Sequence, residues 1–277
     1  VEVELWYTEK QTDAVGLTLR VRRTLVSERT PFQHLAVLDT EQFGRVLVLD
    51  GMVQAAEGDE FIYHEMISHV ALHTHPAPRT VAVIGGGDGG AVREVLKHSS
   101  VEKVVLVEID AQVIEAARKY LPQISHALND PRVEIRVEDG LRHVKDNKET
   151  YDVIIVDSTE PVGAAVGLFS REFYMDIFDS LKEDGIVVAQ TESPFYNKDL
   201  IKRCTSMIAR LFPVTRLYLA SIPTYPSGLW SFTLGSKEYD PLAVPAGRFS
   251  DIDTRYYTPD IHRAAFSLPR FVQELLG

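Results

Sequence analysis

The chain has 277 residues, more than the roughly 100–200 of a typical single domain, so we expect one large core and a smaller second one. Its 40 acidic and 29 basic residues give a net charge of −11, which argues against nonspecific binding to nucleic acid or anionic membranes and suits cationic partners. The single cysteine, Cys204, excludes an intrachain disulfide, and no run approaches the ~20 apolar residues of a membrane span. The first residues carry no signal-peptide pattern, so we expect a cytoplasmic protein.

Residues 1–57 are predicted to form a small antiparallel β domain. Short runs of alternating apolar residues are separated there by turn residues, including the pair Asp50-Gly51. A run from Phe61 to Leu72 has the apolar spacing of a helix, and the prolines of Pro76-Ala77-Pro78 mark a boundary after it. We expect the rest of the chain, residues 58–277, to form the larger, catalytic domain.

After this boundary the pattern changes to strands that alternate with helices. Apolar strands are predicted at residues 80–84, 103–107, 133–137, 152–156 and 186–190. Helical stretches are predicted near residues 91–97, 111–120, 140–147, 170–182 and 198–211. This alternation is typical of an α/β fold with a parallel, doubly wound sheet, in which ligands bind beyond the carboxyl ends of the strands. A hairpin is predicted to start at Tyr225-Pro226-Ser227-Gly228, with one strand from Ser231 to Leu234.

The first of these strands leads into a glycine-rich loop, Gly85-Gly86-Gly87-Asp88-Gly89-Gly90, which fits the pattern G-x-G-x-x-G. Glu108 ends the next strand, twenty-one positions after Gly87, where a carboxylate can accept hydrogen bonds from ribose hydroxyls. A nucleoside-like ligand is therefore expected. A dinucleotide is disfavoured, because its pyrophosphate would face the carboxylate of Asp88 at a cost of several kcal/mol. The loop favours a cation instead.

Polar side chains follow all five predicted strands, and four of these strand ends are acidic. They are Asp88, Glu108, Asp139 followed by Gly140, Asp157 and Gln190. Asp88, Asp110 and Asp139 could instead serve as helix N-caps, which is a common use of aspartate. However, four acidic strand ends that converge on one crevice require a cation, because unpaired buried charges are too costly.

Other motifs indicate different functions, but their evidence is weaker than that of the acidic strand ends. His64-Glu65-Met66-Ile67-Ser68-His69 resembles the zinc-protease pattern, but its second histidine lies about 140° around the helix, which excludes that zinc site. A metal cluster of His69, His73 and His75 is a minor alternative. Ser158 and Ser227 have no histidine at a triad spacing. Cys204, Phe32 and Phe43 are expected in the core.

Several segments together resemble the polyamine aminopropyltransferase family, which includes the spermidine synthases. The resemblance spans nearly the whole chain and rests on Phe32-Gln33, Leu49-Asp50-Gly51-Met52-Val53-Gln54, Tyr63-His64-Glu65, Gly85-Gly86-Gly87-Asp88-Gly89, Val107-Glu108-Ile109-Asp110, Asp157-Ser158-Thr159-Glu160-Pro161-Val162-Gly163 and Ile222-Pro223-Thr224-Tyr225-Pro226-Ser227-Gly228. It implies an N-terminal β domain on a Rossmann-like domain of the methyltransferase type. The implied activity moves the aminopropyl group of decarboxylated S-adenosylmethionine to putrescine and yields spermidine and 5′-methylthioadenosine.

The same resemblance implies two sets of site residues. Those that would bind the nucleoside donor are Gln33, Gln54, Asp88, Glu108, Asp139, Gly140 and Ala164. Those that would line the polyamine pocket, together with Tyr63, are His64, Asp88, Asp157, Ser158, Thr159, Glu160, Gln190 and Tyr225. Glu108 would hold the ribose, Asp139 would lie near the adenine amino group, and Asp88 would bind the donor's amine. Ala164 stands where many relatives have proline, and Glu160 stands where aspartate is common, which leaves the preferred length of the polyamine open.

For catalysis we expect Asp157 to take the proton of the acceptor amine, while Tyr63 and the Ser158 carbonyl orient its nitrogen. Neither a metal nor another cofactor is expected, because the sulfonium is already a good leaving group. The family usually forms dimers or tetramers, so we expect one of these assemblies. Three alternatives remain: a methyltransferase that uses intact S-adenosylmethionine, an NAD-linked oxidoreductase, and a polyamine sensor without activity.

Overall fold

The computed structural model describes residues 3–159 and 163–276, with the backbone alone at residues 163 and 164. The first part is an antiparallel meander whose five strands pair in chain order. These strands are β1 (Leu5–Lys10), β2 (Gly16–Arg29), β3 (His34–Thr40), β4 (Gly44–Leu49) and β5 (Met52–Ala56). Asp50 and Gly51 join β4 to β5 with φ angles of 48° and 83°, which suit the tight turn predicted there. The predicted antiparallel β fold of this region is confirmed.

The second sheet has seven strands in the described residues, in the order β11-β12-β10-β9-β6-β7-β8. They are β6 (Thr80–Gly85), β7 (Lys103–Glu108), β8 (Val133–Val137), β9 (Tyr151–Asp157), β10 (Leu181–Gln190), β11 (Val214–Ser221) and β12 (Leu229–Ser236). The first five are parallel, whereas β12 runs antiparallel to both β10 and β11. The sheet is therefore mixed, and its strand order reverses between β6 and β9. In such a sheet, ligands bind at this reversal, beyond the carboxyl ends of the strands.

Helices cover both faces of this sheet. In the described residues they are α1 (Glu60–Thr74), α2 (Gly90–Val95), α3 (Ala111–Tyr120), α4 (Pro122–Ser125), α5 (Gly140–Asp146), α6 (Arg171–Ser180), α7 (Lys198–Ala209), α8 (Pro259–Ala264) and α9 (Arg270–Leu276). Along β6, Val81 and Val83 join one hydrophobic core, and Ala82 and Ile84 join the other. This alternation buries both faces of the strand, as the pleat of a central strand requires. The predicted doubly wound α/β fold is confirmed.

The meander packs against the second sheet's helices through a core of its own. Leu35 and Leu47 of the meander meet Val113 of α3 and Leu121 and Ile124 at α4 in this core. The contact places β4 and β5 beside the carboxyl ends of β6 and β7, so a cavity forms between the two parts of the chain.

The three core predictions have different outcomes. Cys204 is fully buried, as expected. Phe32 is 44% exposed and lies on the wall of the cavity, so its assignment to the core was wrong. Phe43 is partly buried against the core of the meander. Among the described residues, no helix is both long and apolar enough to cross a membrane.

Candidate active site

The described residues enclose one large cavity at the reversal point of the sheet. Its volume is about 1310 Å³, including its opening to solvent. All five predicted strand-end positions lie on its wall, which brings together Asp88, Glu108, Asp139, Asp157 and Gln190. Each of these side chains comes from a different strand end, so only the fold could unite them.

The glycine loop lets the ends of β6 and β9 approach each other closely. Gly85 and Gly86 have φ angles of 82° and 68°, in the left-handed region that glycine adopts without strain. A methyl group on Gly86 would lie only 2.6 Å from Asp157 Oδ2. These glycines therefore make room for a neighbouring carboxylate.

Asp157 is the central acidic group of the cavity. Its Oδ1 accepts a hydrogen bond of 2.6 Å from the Tyr63 hydroxyl, and its buried Oδ2 has no hydrogen-bond partner among the described residues. Burial, helped by the nearby Asp88 carboxylate, raises the pKa of Asp157 to about 6 against the opposing effects of His64 and Tyr63. Burial beside Asp157 also raises the pKa of Tyr63 well above its usual value, so the phenol keeps its proton. The Tyr63 hydroxyl is thus a fixed hydrogen-bond donor, and Oδ2 of Asp157 is available to accept a proton.

Asp88 has a different environment, although it faces the same cavity. Its Oδ1 accepts a hydrogen bond of 2.7 Å from the Gly90 amide and lies 3.3 Å from His64 Nε2. Burial, the largest single effect, would raise its pKa, but His64, the Gly90 amide and Arg93 together outweigh burial and lower it. His64 itself is buried behind Asp88 and is not part of the cavity wall.

At the end of β7, Glu108 and Asp110 organise the backbone around the cavity. Glu108 accepts hydrogen bonds from the amides of Gly87 and Asp110, at 3.2 and 2.9 Å. Burial nevertheless raises its pKa to about 7. Asp110 caps α3 through the Gln112 amide, and it also accepts a bond of 2.9 Å from Gln33 Nε2. The cap prediction for Asp110 is confirmed.

Asp139 combines the two functions that the sequence left open. It caps α5 by accepting a hydrogen bond of 2.8 Å from the Leu141 amide, and it also lies on the cavity wall. Gly140 follows on the same wall, where a methyl group would lie 2.5 Å from a side-chain carbon of Ile84. A larger residue there would separate α5 from β6.

Polar and aromatic groups complete the cavity wall. Gln190 Nε2 donates to the Ser158 carbonyl at 3.0 Å, and the Tyr225 hydroxyl donates to the Gln54 carbonyl at 2.5 Å. Ser158, Thr159, Gln54 and Tyr225 also lie on this wall. The predicted Glu160 lies outside the described residues, and so does the side chain of Ala164.

Sequence reasoning missed several wall residues. Trp230 lies on the wall beside Tyr225, with ring centroids 4.8 Å apart, and Met52, Leu49 and Ile109 add apolar surface. Trp230 follows the motif Tyr225-Pro226-Ser227-Gly228 by two positions. Its closeness to that motif was the signal that could have revealed it.

The predicted histidine alternative does not converge on one site. The two ring nitrogens of His69 contact His98 and Glu94, and those of His73 contact the His69 carbonyl and Ser250. His75 lies near Asp152 and Asp184, but its Nδ1 accepts a hydrogen bond from the Ala77 amide. In the neutral ring the proton is then on Nε2, which leaves that nitrogen no lone pair for a metal.

Together, the sheet order, the glycine loop and the acidic strand ends define a Rossmann-like protein of the methyltransferase type, with an acidic cavity at the reversal point of its sheet. The spermine/spermidine synthase domain matches residues 60–243, and the spermidine synthase tetramerisation domain matches residues 5–57. The polyamine aminopropyltransferase of Caldicellulosiruptor bescii is 60% identical over 275 residues, which cover 99% of each chain. That of Bacillus subtilis is 58% identical over 273 residues, again covering 99% of each chain.

Solved structures support the same assignment. A crystal structure of spermidine synthase in complex with the transition state analogue AdoDATO matches with a TM-score of 0.94 and 45% identity, over 98% of this chain and 94% of that one. Spermidine synthase from Thermotoga maritima matches with a TM-score of 0.91 and 44% identity, over the same shares of the two chains. The chain belongs to the spermine/spermidine synthase family, and it is an aminopropyltransferase.

Proposed function

We propose that this enzyme transfers the aminopropyl group of decarboxylated S-adenosylmethionine to putrescine, and that the products are spermidine and 5′-methylthioadenosine. The observation that carries the proposal is the environment of Asp157. Its Oδ2 is buried without a partner among the described residues, and Tyr63 and Asp88 lie beside it on an acidic wall. Such a site favours a cationic substrate that can lose a proton to a carboxylate.

The donor would occupy the half of the cavity next to the meander. Glu108 would accept hydrogen bonds from the ribose hydroxyls, Asp139 would lie near the adenine amino group, and Gln33, Gln54, Gly140 and Ala164 would complete the nucleoside site. Asp88 would bind the ammonium of the aminopropyl chain. Intact S-adenosylmethionine carries a carboxylate in this region, and the ionised Asp88 would repel it. This repulsion argues against a methyltransferase.

The acceptor must lose a proton before it can react. An alkyl amine with a pKa of about 10.4 is protonated at pH 7, and its deprotonation costs about 4.6 kcal/mol. Asp157 would take this proton, since its raised pKa of about 6 makes it a stronger base than an exposed aspartate. The hydroxyl of Tyr63 would hold the carboxylate, and the Ser158 carbonyl, held by Gln190, would orient the amine.

In the transfer step, the lone pair of the amine nitrogen attacks the carbon beside the sulfonium. The new C–N bond forms while the C–S bond breaks, and the electrons of that bond neutralise the sulfur of the leaving 5′-methylthioadenosine. The proton passes from the amine to Asp157 and then to solvent. The sulfonium leaves without help, so we propose that no metal or other cofactor takes part.

The polyamine itself would bind along the wall formed by Tyr63, Thr159, Gln190 and Tyr225, with its far ammonium near Glu160. Incubation with decarboxylated or intact S-adenosylmethionine and a series of diamines, followed by mass spectrometry, tests the whole assignment. We expect spermidine from putrescine and no methylated product. Methyl transfer from the intact donor, or no product with any amine, would contradict the proposal.

We further propose that the enzyme is a homodimer or homotetramer that associates through residues 5–57. Leu5 and Trp6 of β1 are each 55% exposed, and exposed apolar side chains of this size favour a protein interface. Native mass spectrometry should give two or four chains, and Trp6→Glu should lower that number. A monomeric wild-type protein would contradict this assembly.

A further inference from the structure

His64 is held between two carboxylates. Its Nδ1 lies 2.6 Å from Glu60 Oε2, and its Nε2 lies 3.3 Å from Asp88 Oδ1. Ionised carboxylates only accept hydrogen bonds, and an imidazole nitrogen donates only when it carries a proton. A ring nitrogen without a proton would turn its lone pair towards an ionised carboxylate, so the position between two carboxylates favours a proton on each nitrogen, which makes the ring a cation.

The residues behind His64 continue this alternation of charge. Arg93 binds both oxygens of Glu60, at 3.0 and 2.8 Å, and its Nε donates to Glu94 at 2.7 Å. Lys97 also pairs with Glu94, at 2.7 Å. We call Asp88, His64, Glu60, Arg93 and Glu94 the ion-pair chain. Each anion in it touches a cation, so burial of the whole chain is tolerated.

Close packing fixes the imidazole in place. A methyl group on Gly90 would lie 2.2 Å from the Cε1 atom of His64, so the ring occupies the space that any other residue would need. The Gly90 amide and His64 both contact Oδ1 of Asp88, so neither contact uses Oδ2. Asp88 is therefore oriented from behind, and its other oxygen stays available to the cavity.

The position of His64 also makes the two aspartates of the cavity unequal. One side-chain nitrogen or oxygen atom of each of His64, Asp88 and Asp157 lies within 4.8 Å of the other two. The shorter contact of His64 is the one to Asp88, at 3.3 Å. Two neighbouring carboxylates without a cation would tend to share one proton. A cation beside Asp88 assigns that proton to Asp157.

We propose that His64 is a positioning residue, a buried imidazolium held by Glu60, which Arg93 holds in turn, and that it keeps Asp88 ionised and leaves Asp157 to accept protons. This inference rests on the proposed function, because Asp88 is then free to bind the ammonium of the donor while Asp157 deprotonates the acceptor. His64 would thus act through Asp88.

The surrounding charges support this assignment. Glu60 from α1 and Asp88 from the loop after β6 face the ring, and Asp157 from β9 lies nearby. The rings of His64 and Tyr63 are nearly perpendicular, with centroids 5.3 Å apart. Burial alone would lower the pKa of His64, but the charges of Asp88 and Glu60 raise it well above the usual value.

The test compares His64→Gln with His73→Gln. Glutamine at position 64 can still donate a hydrogen bond towards Asp88 but removes the charge. His73 is buried on the same helix, contacts Ser250, and lies outside the proposed machinery, so its variant controls for the loss of a buried histidine.

Two measurements should separate a charge effect from a structural one. Dissociation constants are measured for decarboxylated S-adenosylmethionine and for 5′-methylthioadenosine, which lacks the ammonium. The pH profile of kcat/KM is recorded for each protein. In His64→Gln we expect about tenfold weaker binding of the cationic donor, unchanged binding of 5′-methylthioadenosine, and an acid limb at higher pH, because loss of a cation raises the pKa of the aspartates. His73→Gln should match wild type in both dissociation constants and in the pH profile.

The inference would be overturned if His64→Gln bound both ligands equally more weakly, or if the acid limb of its pH profile did not move. Neutron diffraction from crystals of the deuterated wild-type enzyme gives a test that needs no variant. Deuterium on both ring nitrogens of His64 is the expected result, and a neutral ring would also overturn the inference. If wild type neither binds nor uses the cationic donor, the proposed function fails, whereas the neutron result still decides the charge of His64.

Discussion

Buried carboxylates occupy two regions of this enzyme, the wall of the cavity and the ion-pair chain behind it, and the two regions shift their pKa values in opposite directions. On the wall, burial raises the pKa of Asp157 to about 6 and that of Glu108 to about 7. In the chain, burial acts in the same direction, but neighbouring cations and hydrogen bonds outweigh it and lower the pKa values of Glu60, Glu94 and Asp88, the one chain member that also lies on the wall. Among the described residues, no lysine, arginine or histidine lines the cavity, so a bound substrate can supply the cation that the wall lacks.

The strongest test of the wall is Asp157→Asn. We expect kcat to fall by about 10²–10⁴-fold, because the proposed base is lost while the shape of the side chain is kept. Binding of 5′-methylthioadenosine, measured by calorimetry, should change little. A nearly normal kcat across the pH range would show that another group accepts the proton.

The corresponding test of the ion-pair chain is Arg93→Met. Removal of one partner leaves Glu60 and Glu94 buried without their shared cation, which should lower the free energy of unfolding by about 3–4 kcal/mol. Arg79→Met is the matched control, since Arg79 pairs with Glu102 on the surface, where both side chains are more than 60% exposed. Loss of the pair of Arg79 with Glu102 should lower the free energy of unfolding by less than about 1 kcal/mol. Similar losses in the two variants, measured by urea unfolding, would remove the distinction between the regions.

Glu108→Gln tests whether a wall carboxylate costs stability when it ionises. The folded protein holds the Glu108 proton more tightly than the unfolded chain, so the stability of wild type falls as pH rises from the usual pKa of 4.5 to about 7. Glutamine does not ionise, so the free energy of unfolding of the variant does not fall in this way. Relative to that of wild type, it should rise by up to about 3 kcal/mol between pH 5 and pH 8. Thermal unfolding of the variant and of wild type, without ligands at pH 5 and pH 8, measures this difference in stability. A constant difference would mean that Glu108 titrates normally.

The smallest effect is expected from Tyr63→Phe, which removes a single hydrogen bond from the wall. We expect kcat to fall about tenfold, consistent with the loss of one hydrogen bond to a charged group. The acid limb of the pH profile should move to higher pH, because the Tyr63 hydroxyl lowers the pKa of Asp157. Steady-state kinetics over the pH range would show both changes, and an unmoved acid limb would indicate that the tyrosine only fills space.

The wall was largely predictable from the sequence, whereas the chain behind it was not. Asp88, Glu108, Asp139 and Asp157 each follow a strand with a clear apolar pattern, and parallel strands bring their carboxyl ends to one edge. Glu60 and Arg93 are 33 positions apart on separate helices, and no local pattern joins them. Helix α1 is also buried on nearly every side, so periodicity could not show which way His64 faces.

Phe32 shows a second limit of local patterns. An aromatic residue in an apolar segment fits either a core or a cavity wall, because both environments suit apolar surface. Its 44% exposure depends on the space between the meander and the sheet. Trp230 was missed although it closely follows the motif Tyr225-Pro226-Ser227-Gly228, because its place on the wall also requires β12 to pack beside β10.

The sequence by itself determined the strands, the glycine loop and the acidic residues at the strand ends, because these depend on spacing between neighbouring residues. The tertiary structure alone decided which of the buried charges would find a partner. His64 and Arg93 neutralise Asp88 and Glu60, while Asp157 keeps an oxygen with no partner among the described residues. The proton affinity of a carboxylate depends on the charges within a few ångströms of it, and in this enzyme those charges come from distant parts of the chain.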